Sequence, residues 1–122
     1  MIDHLLKNGI IVTVNPDREV FFHGAVAIQG NRIVEVGPSD ALEAKYTNAA
    51  KVTDLDGKIV FPGFVNTHNH LFQTLLKGLG DDMVLKDWLE TMTFPAATNL
   101  TRNDCYLAAM LGCMEGLHSG IT

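Results

Sequence analysis

Phe61-Pro62-Gly63-Phe64-Val65-Asn66-Thr67-His68-Asn69-His70 is the stretch of this chain that decides the fold. Residues 64–67 are apolar enough to predict a buried strand, and a His-X-His pair follows at its end. Successive side chains of a strand point to opposite faces, so His68 and His70 share one face and Asn69 points away, with no predicted site role. Two imidazoles on one face can bind one divalent metal ion, with each nitrogen about 2.0–2.1 Å from a zinc. The spacing alone is weak evidence, because the five histidines of this chain give such a pair by chance in about one chain of six.

The residues before this stretch predict a small β-domain, residues 1–61. Apolar and β-branched runs alternate with turn signals and predict strands at 5–14, 25–29, 32–36, 52–55 and 58–61. Gly30-Asn31 and Asp56-Gly57 each indicate a hairpin, because these residue types tolerate positive φ. A short helix is predicted at 41–46, with Ser39 or Asp40 as its N-cap.

The residues after His70 are predicted to be helical. Apolar residues recur at helical spacing over 71–79 and 84–94, and Pro95 is expected to end the second segment. A third helix is predicted to begin at Thr101, which precedes Asp104 as in a capping box, and to end at Gly120. One face of this helix carries an apolar stripe: Tyr106, Leu107, Met110, Leu111, Met114 and Leu117. Without the rest of the fold such a face is expected to be exposed, and self-association of the chain is predicted to bury Leu107, Met110, Leu111 and Met114.

Ile121-Thr122 is expected to begin another strand, so the order after Pro62 is strand, helices, strand. Such an order predicts a parallel sheet with crossover helices. One complete strand cannot form a sheet, and a β/α barrel needs about 250 residues. We therefore expect the 122 residues to be the N-terminal piece of a longer protein, with residues 62–122 holding the start of its parallel fold.

Composition and charge restrict the class of protein. Hydrophobic residues make up 47% and charged residues 19%, which is typical of a globular chain. The net charge of -5 gives no electrostatic footprint for nucleic acid or an anionic membrane. The N-terminus has no cationic start followed by an apolar run, so a cytoplasmic location is predicted. Cys105 and Cys113 lie about 12 Å apart along one predicted helix, too far for a disulfide, and are expected to be reduced.

The stretch from Pro62 to His70 resembles the start of the metal-dependent amidohydrolase superfamily, whose motif is Pro-Gly-Φ-Φ-(Asn/Asp)-X-His-X-His. Several segments resemble one branch of that superfamily, which contains cytosine-deaminase-like and S-adenosylhomocysteine-type deaminases, triazine hydrolases and 8-oxoguanine deaminases. These segments are Leu6 to Gly9, Gly30 to Gly37, Gln73 to Gly78, Asp81-Asp82 and Trp88-Leu89 through Pro95. The resemblance covers almost the whole chain.

The resemblance implies a fold and a chemistry. The fold is an α+β fragment, in which a β-sandwich-type domain (1–61) precedes the first strand and helices of an incomplete (β/α)8 metal-dependent hydrolase barrel (62–122). His68 and His70 would bind a divalent metal, zinc or else iron, which activates water to deaminate a nitrogen heterocycle. Gln73 and Trp88 would contact this small-molecule substrate. The alternatives are that Gln73 is an exposed residue at a helix start and that Trp88 anchors a helix core.

Other expectations concern the substrate and the state of the chain. Nucleoside-type members of the branch carry an acidic residue just after the proline, where this chain has Pro95-Ala96-Ala97-Thr98. The resemblance therefore favours a free base, a triazine or another small heterocycle over an adenosine-like substrate. No complete set of catalytic residues lies in the chain, so it is predicted to be inactive alone and to form homo-oligomers. The alternative is a non-catalytic structural or self-associating module with a fortuitous His-X-His pair.

Overall fold

The computed structural model describes residues 1–122. They form an α+β structure of two compact units, Met1–Pro62 and Gly63–Thr122. The boundary between the units falls at Pro62-Gly63, where proline removes a backbone donor and glycine relaxes the steric limits on φ.

The first unit is one five-stranded sheet with one helix. The antiparallel pairs are β2 with β1 and β3 with β2, whereas β4 and β5 both lie parallel to β1. The elements are β1 (His4–Val12), β2 (Val20–Gln29), β3 (Arg32–Pro38), α1 (Ser39–Lys45), β4 (Lys51–Asp54) and β5 (Ile59–Val60).

The predicted hairpin at Gly30-Asn31 is confirmed, because Gln29 and Arg32 face each other across β2 and β3. Gly30 has a φ of 57°, which a residue with a side chain rarely adopts. The tight turn therefore follows from the local sequence, as the Gly-Asn signal predicts.

The predicted hairpin at Asp56-Gly57 is wrong. The turn itself forms, with φ of 50° and 74°, but the strands on either side of it both pair with β1 and not with each other. Between the pairs Lys7↔Asp54 and Ile10↔Ile59, the edge strand advances five residues while β1 advances three. The turn thus takes up two extra residues at one edge of the sheet, in the manner of a large bulge.

The core of the first unit lies between α1 and one face of the sheet. Five apolar side chains are buried there: Ile2, Leu5, Ala25, Ala27 and Leu42. The opposite face carries an apolar groove of about 180 Å³, lined among others by Val26, Ile28, Ile33 and Phe61. A sheet with apolar residues on both faces has the character of one layer of a sandwich.

In the second unit, the predicted buried strand at 64–67 is wrong. Only Phe64 pairs, in a parallel bridge to Ile121, and Phe64 and Val65 are 59% and 79% exposed. Phe64 N donates to Gly120 O at 2.8 Å, and Thr122 N donates to Phe64 O at 3.0 Å. A segment that pairs at a single residue is not covered as a strand inside a sheet would be. The bridge places Ile121 parallel to Phe64, in the arrangement expected where a second strand begins, but neither segment forms a strand in this chain.

The helical segments of the second unit are a 3-10 segment Leu71–Leu76, α2 (Leu85–Trp88), a π turn Leu89–Thr93, α3 (Phe94–Asn99) and α4 (Arg102–His118). The prediction that Pro95 ends a helix is wrong, because Pro95 lies in the first turn of α3. A proline is tolerated in a first turn, and the wider π turn before it changes the hydrogen-bond register. None of these helices is long and apolar enough to cross a membrane.

The capping box of α4 is confirmed. Asp104 N donates to Thr101 Oγ1 at 3.2 Å, and Thr101 N donates to Asp104 Oδ2 at 2.8 Å. All six side chains of the apolar stripe are exposed, as expected for a helix that lacks the rest of its fold to pack against. The helix instead turns its small residues, Ala108 and Gly112, inward, and a Cβ on Gly112 would lie 2.8 Å from Leu71 Cδ2.

The capping box predicts a pH dependence for α4. The hydrogen bonds from the Thr101 hydroxyl and backbone N–H lower the pKa of Asp104 below its ordinary value of 3.8. A carboxylate with a lowered folded pKa stabilises the fold above the unfolded pKa, and this contribution is lost as the pH falls through the folded value. We expect Asp104→Asn to reduce helix content, measured by circular dichroism, near pH 7 and to differ little from the parent once the pH lies below the lowered pKa of Asp104.

The control for this prediction is Asp17→Asn, which changes an exposed carboxylate in the turn before β2. It should leave the helical signal unchanged at both pH values. A constant difference between the parent and Asp104→Asn from pH 7 to acid would show that the ionised form of Asp104 does not stabilise the cap.

Candidate metal centre

The two motif histidines converge. His68 Nε2 lies 3.1 Å from His70 Nε2, and the two ring centroids are 5.2 Å apart with the rings tilted by 32°. An Asx turn precedes the pair, because His68 N donates to Asn66 Oδ1 at 3.1 Å. The turn fixes the backbone just ahead of the histidines, so both rings can direct their Nε2 atoms to one place although the segment is not a regular strand.

The geometry of this pair fits a divalent transition metal. Two nitrogens bound to one tetrahedral zinc at about 2.0–2.1 Å are about 3.3 Å apart. The observed separation of 3.1 Å is close to that value. Neutral imidazole nitrogens suit zinc and iron alike, so the donor set does not decide between these metals. Both rings are exposed, which leaves the remaining coordination positions open.

The histidine pair lines a cavity of about 550 Å³. Its other walls are Asn66, Asn69, Gln73 and Trp88. The structure therefore brings the two candidate substrate contacts, Gln73 and Trp88, to the same cavity as the candidate metal ligands. Gln73 N donates to His70 O at 2.9 Å, which ties the start of the 3-10 segment to the second histidine.

Sequence reasoning missed Asn69 as a cavity residue. The prediction that Asn69 points away from the histidines assumed strand alternation, and residues 65–70 have no strand pairing. Asn69 lines both this cavity and a neighbouring one of about 430 Å³. The rim of the neighbouring cavity holds an ion pair between Lys77 Nζ and Glu115 Oε2 at 2.5 Å, which links the 3-10 segment to α4.

No third metal ligand lies beside the pair. No group of three or more His, Cys, Asp or Glu side chains in the chain is arranged to hold a metal ion. Cys105 and Cys113 are free and exposed on α4, outside the cavity. The histidines thus supply two ligands, where a catalytic zinc site in a protein has about three.

Comparison with known proteins decides the family. The model of the amidohydrolase family matches residues 59–122, more than half of the chain and including both histidines. The chain belongs to the amidohydrolase family. A second family model, the bacterial imidazolonepropionase-like composite domain, matches residues 24–49 of this amidohydrolase chain.

Similar proteins are deaminases by name. The chain is 42% identical over 98% of its length to a 5-methylthioadenosine/S-adenosylhomocysteine deaminase of Syntrophobacter fumaroxidans. It is 38% identical over its whole length to a 5'-deoxyadenosine deaminase of Methanosarcina barkeri. It covers 27% of the length of each. Among solved structures, an adenosine deaminase of Xanthomonas campestris with bound zinc matches 99% of the chain at 30% identity and a TM-score of 0.84, over 28% of its own chain.

These findings confirm the amidohydrolase resemblance and the fold that it implies. The amidohydrolase chain spans about a quarter of the length of the relatives that it matches. The named relatives act on nitrogen heterocycles at C–N bonds, and a solved relative carries zinc.

Proposed function

We propose that this chain is the N-terminal part of a metal-dependent hydrolase that deaminates a nitrogen heterocycle. The observation that carries the proposal is the Nε2–Nε2 separation of 3.1 Å between His68 and His70, in a cavity shared with Gln73 and Trp88. Two convergent nitrogens, an amide and an indole provide a metal anchor, a hydrogen-bonding group and a planar apolar surface in one place.

His68 and His70 hold the metal as neutral imidazoles, with zinc as the proposed ion and iron as the alternative. The zinc of the Xanthomonas campestris relative supports this choice. When bound, such a metal lowers the pKa of water to about 7, which makes an attacking base available at neutral pH. The exposed rings leave room on the cavity side for a ligand.

Gln73 and Trp88 select the substrate in this proposal. The amide of Gln73 can donate to a ring nitrogen and accept from an exocyclic amino group, which are the groups that a nitrogen heterocycle presents. The half-buried indole of Trp88 offers a flat face for stacking against a planar ring. The substrate is therefore an amino-substituted heterocycle of small size, and nucleic acid is not a partner.

Two observations bear on whether the heterocycle carries a ribose. The relatives named above act on nucleosides by name, whereas Ala96 and Ala97 offer no carboxylate for a sugar hydroxyl after Pro95. Parallel assays of adenosine and adenine with the full-length protein decide between the two. Release of ammonia from either one supports the proposed reaction, and release from neither excludes an adenine ring as its substrate.

The isolated 122-residue chain is expected to show no turnover. With added zinc, ammonia release from adenosine or adenine should not exceed that of free zinc, because the site has two protein ligands instead of about three. The measurement is an ammonia assay with zinc alone as the reference. Turnover well above this reference would mean that the chain already holds a complete site.

A second candidate function is a self-associating module, which the exposed face of α4 favours. Tyr106, Leu107, Met110, Leu111, Met114 and Leu117 are all more than 40% exposed along this helix. A contiguous apolar surface of this kind marks an interaction site or a tendency to associate. A cytoplasmic homo-oligomer is compatible with both candidate functions, so association alone does not separate them.

Self-association is expected for the isolated chain. Sedimentation velocity should show a concentration-dependent rise in molecular mass, because burying this apolar face removes several side chains from water. The double variant Leu107→Glu with Leu111→Glu should shift the equilibrium toward monomer. The matched control, Lys86→Glu with Arg102→Glu, adds negative charge away from the stripe and should leave association intact. A monomer at high concentration for the unaltered chain would contradict the expectation.

A further inference from the structure

A glycine lies against the aromatic wall of the cavity. Gly80 has a φ of 78°, and a Cβ built on it would lie 3.0 Å from Trp88 Cδ1. The same point is 3.3 Å from Met83 Sδ and 3.4 Å from Met92 Sδ. One indole edge and two thioethers therefore converge on a position where an added side chain is accommodated only if these neighbours shift.

The surrounding contacts hold this cluster in place. Met83 N donates to Gly80 O at 3.1 Å, which closes a turn over residues 80–83. Thr91 Oγ1 donates to Met83 Sδ at 3.5 Å and to Asp87 O at 2.6 Å. Sulfur atoms beside an aromatic ring edge make favourable contacts. The turn and the two methionine sulfurs thus surround the position beside Gly80 that the edge of the Trp88 indole also approaches.

The same tryptophan contributes to the shape of the cavity. Trp88 is a wall of the cavity that contains His68 and His70. A side chain at position 80 would press on the indole, which would then have to shift away from residue 80. Because Trp88 also lines the cavity, such a shift changes the shape of the cavity. The width of the cavity between the indole and the histidines therefore depends on the absence of a Cβ at residue 80.

We propose that Gly80 is a positioning residue that fixes the Trp88 indole at the distance from His68 and His70 that admits a planar heterocycle. This inference rests on the proposed function, because it assigns the indole to the wall of the metal and substrate site. In this proposal the turn at 80–83, together with Met83 and Met92, determines which ring shapes fit against Trp88. None of these residues touches the substrate.

The test uses Trp88 as its own reporter, since it is the single tryptophan of the chain. Co²⁺ binds imidazole sites and quenches nearby indole fluorescence. The variant is Gly80→Asn, because asparagine tolerates positive φ but adds a side chain against the indole. The matched control is Gly78→Asn. Gly78 has a similar φ of 77°, and a Cβ built on it has no atom within 4 Å.

For the full 122-residue chain, Co²⁺ should quench Trp88 in the parent and in Gly78→Asn to the same extent. In Gly80→Asn the emission maximum should shift and the quenching at saturating Co²⁺ should change, while equilibrium dialysis shows Co²⁺ still bound. Bound Co²⁺ with equal quenching in all three proteins overturns this inference alone. Dialysis that shows no bound Co²⁺ in the parent overturns the proposed metal site, and the inference with it.

Circular dichroism shows whether Gly80→Asn folds. If it does not, two further variants test the same inference. Gly80→Ala requires the indole to move by only a few tenths of an ångström, and it should change the quenching in the same direction by a smaller amount. Met92→Ala removes a thioether whose sulfur lies 3.4 Å from the position of a Gly80 Cβ, without altering the backbone at residue 80. Its control is Met110→Ala on the exposed face of α4. Unchanged quenching in both Gly80→Ala and Met92→Ala overturns the inference.

Discussion

Replacing either motif histidine by alanine is expected to abolish metal binding by this chain. The two Nε2 atoms, 3.1 Å apart, are the only convergent pair of ligands in the cavity. With one imidazole left, the ion has a single protein ligand and water for the rest. Loss of a group that merely supports a ligand weakens metal binding about 10–100-fold, and loss of a ligand itself has at least that effect. Equilibrium dialysis of His68→Ala and His70→Ala with Co²⁺ or Zn²⁺ measures the change.

The control for these variants is His118→Ala. His118 ends α4 and lies outside the cavity, so its loss should leave the affinity unchanged. A second check is to lower the pH, because a protonated imidazole cannot bind a metal ion. The bound ion should then be released. Equal affinity of the parent, His68→Ala and His70→Ala would place the metal elsewhere on the chain and remove the basis of the proposed function.

The features that could be predicted from sequence are those that neighbouring residues determine. The capping box joins Thr101 to Asp104 across three positions, and the hairpin at Gly30 needs only a residue that accepts positive φ. The His-X-His pair is local as well, and the resemblance of its flanking residues to the amidohydrolase motif gave it a meaning that spacing alone did not. Local interactions of this kind depend little on the rest of the fold.

The features that could not be predicted depend on partners distant in sequence. Asp56-Gly57 forms its turn, but the choice of β1 as the partner of both flanking strands is a tertiary outcome. The burial expected for residues 64–67 needs strands on both sides, and only Ile121 is present. The exposure of the apolar stripe of α4 follows from the missing part of the fold, but the face that does pack could not be predicted. Ala108 and Gly112 carry no hydrophobic signal of their own, and periodicity does not show which face of a helix has a neighbour.

The contact that does bury α4 gives the second large expected effect. Gly112 allows the helix to approach the 3-10 segment so closely that an added Cβ would lie 2.8 Å from both Leu71 Cδ2 and Thr74 Oγ1. Thr74 Oγ1 is itself engaged, donating to Leu71 O at 2.7 Å, so it cannot turn away without losing that bond. Gly112→Leu is therefore expected to lower the free energy of unfolding of the second unit by about 1–3 kcal/mol through overpacking.

Gly116→Leu separates this packing effect from helix propensity. Both positions lie inside α4, where leucine is favoured over glycine by about 0.5–1 kcal/mol, but the nearest atom to a Cβ on Gly116 is Ile121 Cβ at an ordinary 3.8 Å. Gly116→Leu should therefore leave stability unchanged or raise it, in urea unfolding followed by the fluorescence of Trp88. The 3-10 segment displaced by Gly112→Leu directly follows His70 and carries Gln73. Weaker Co²⁺ binding should thus accompany the loss of stability in Gly112→Leu alone, and equal stability of the two variants would show that α4 does not hold the metal-binding segment in place.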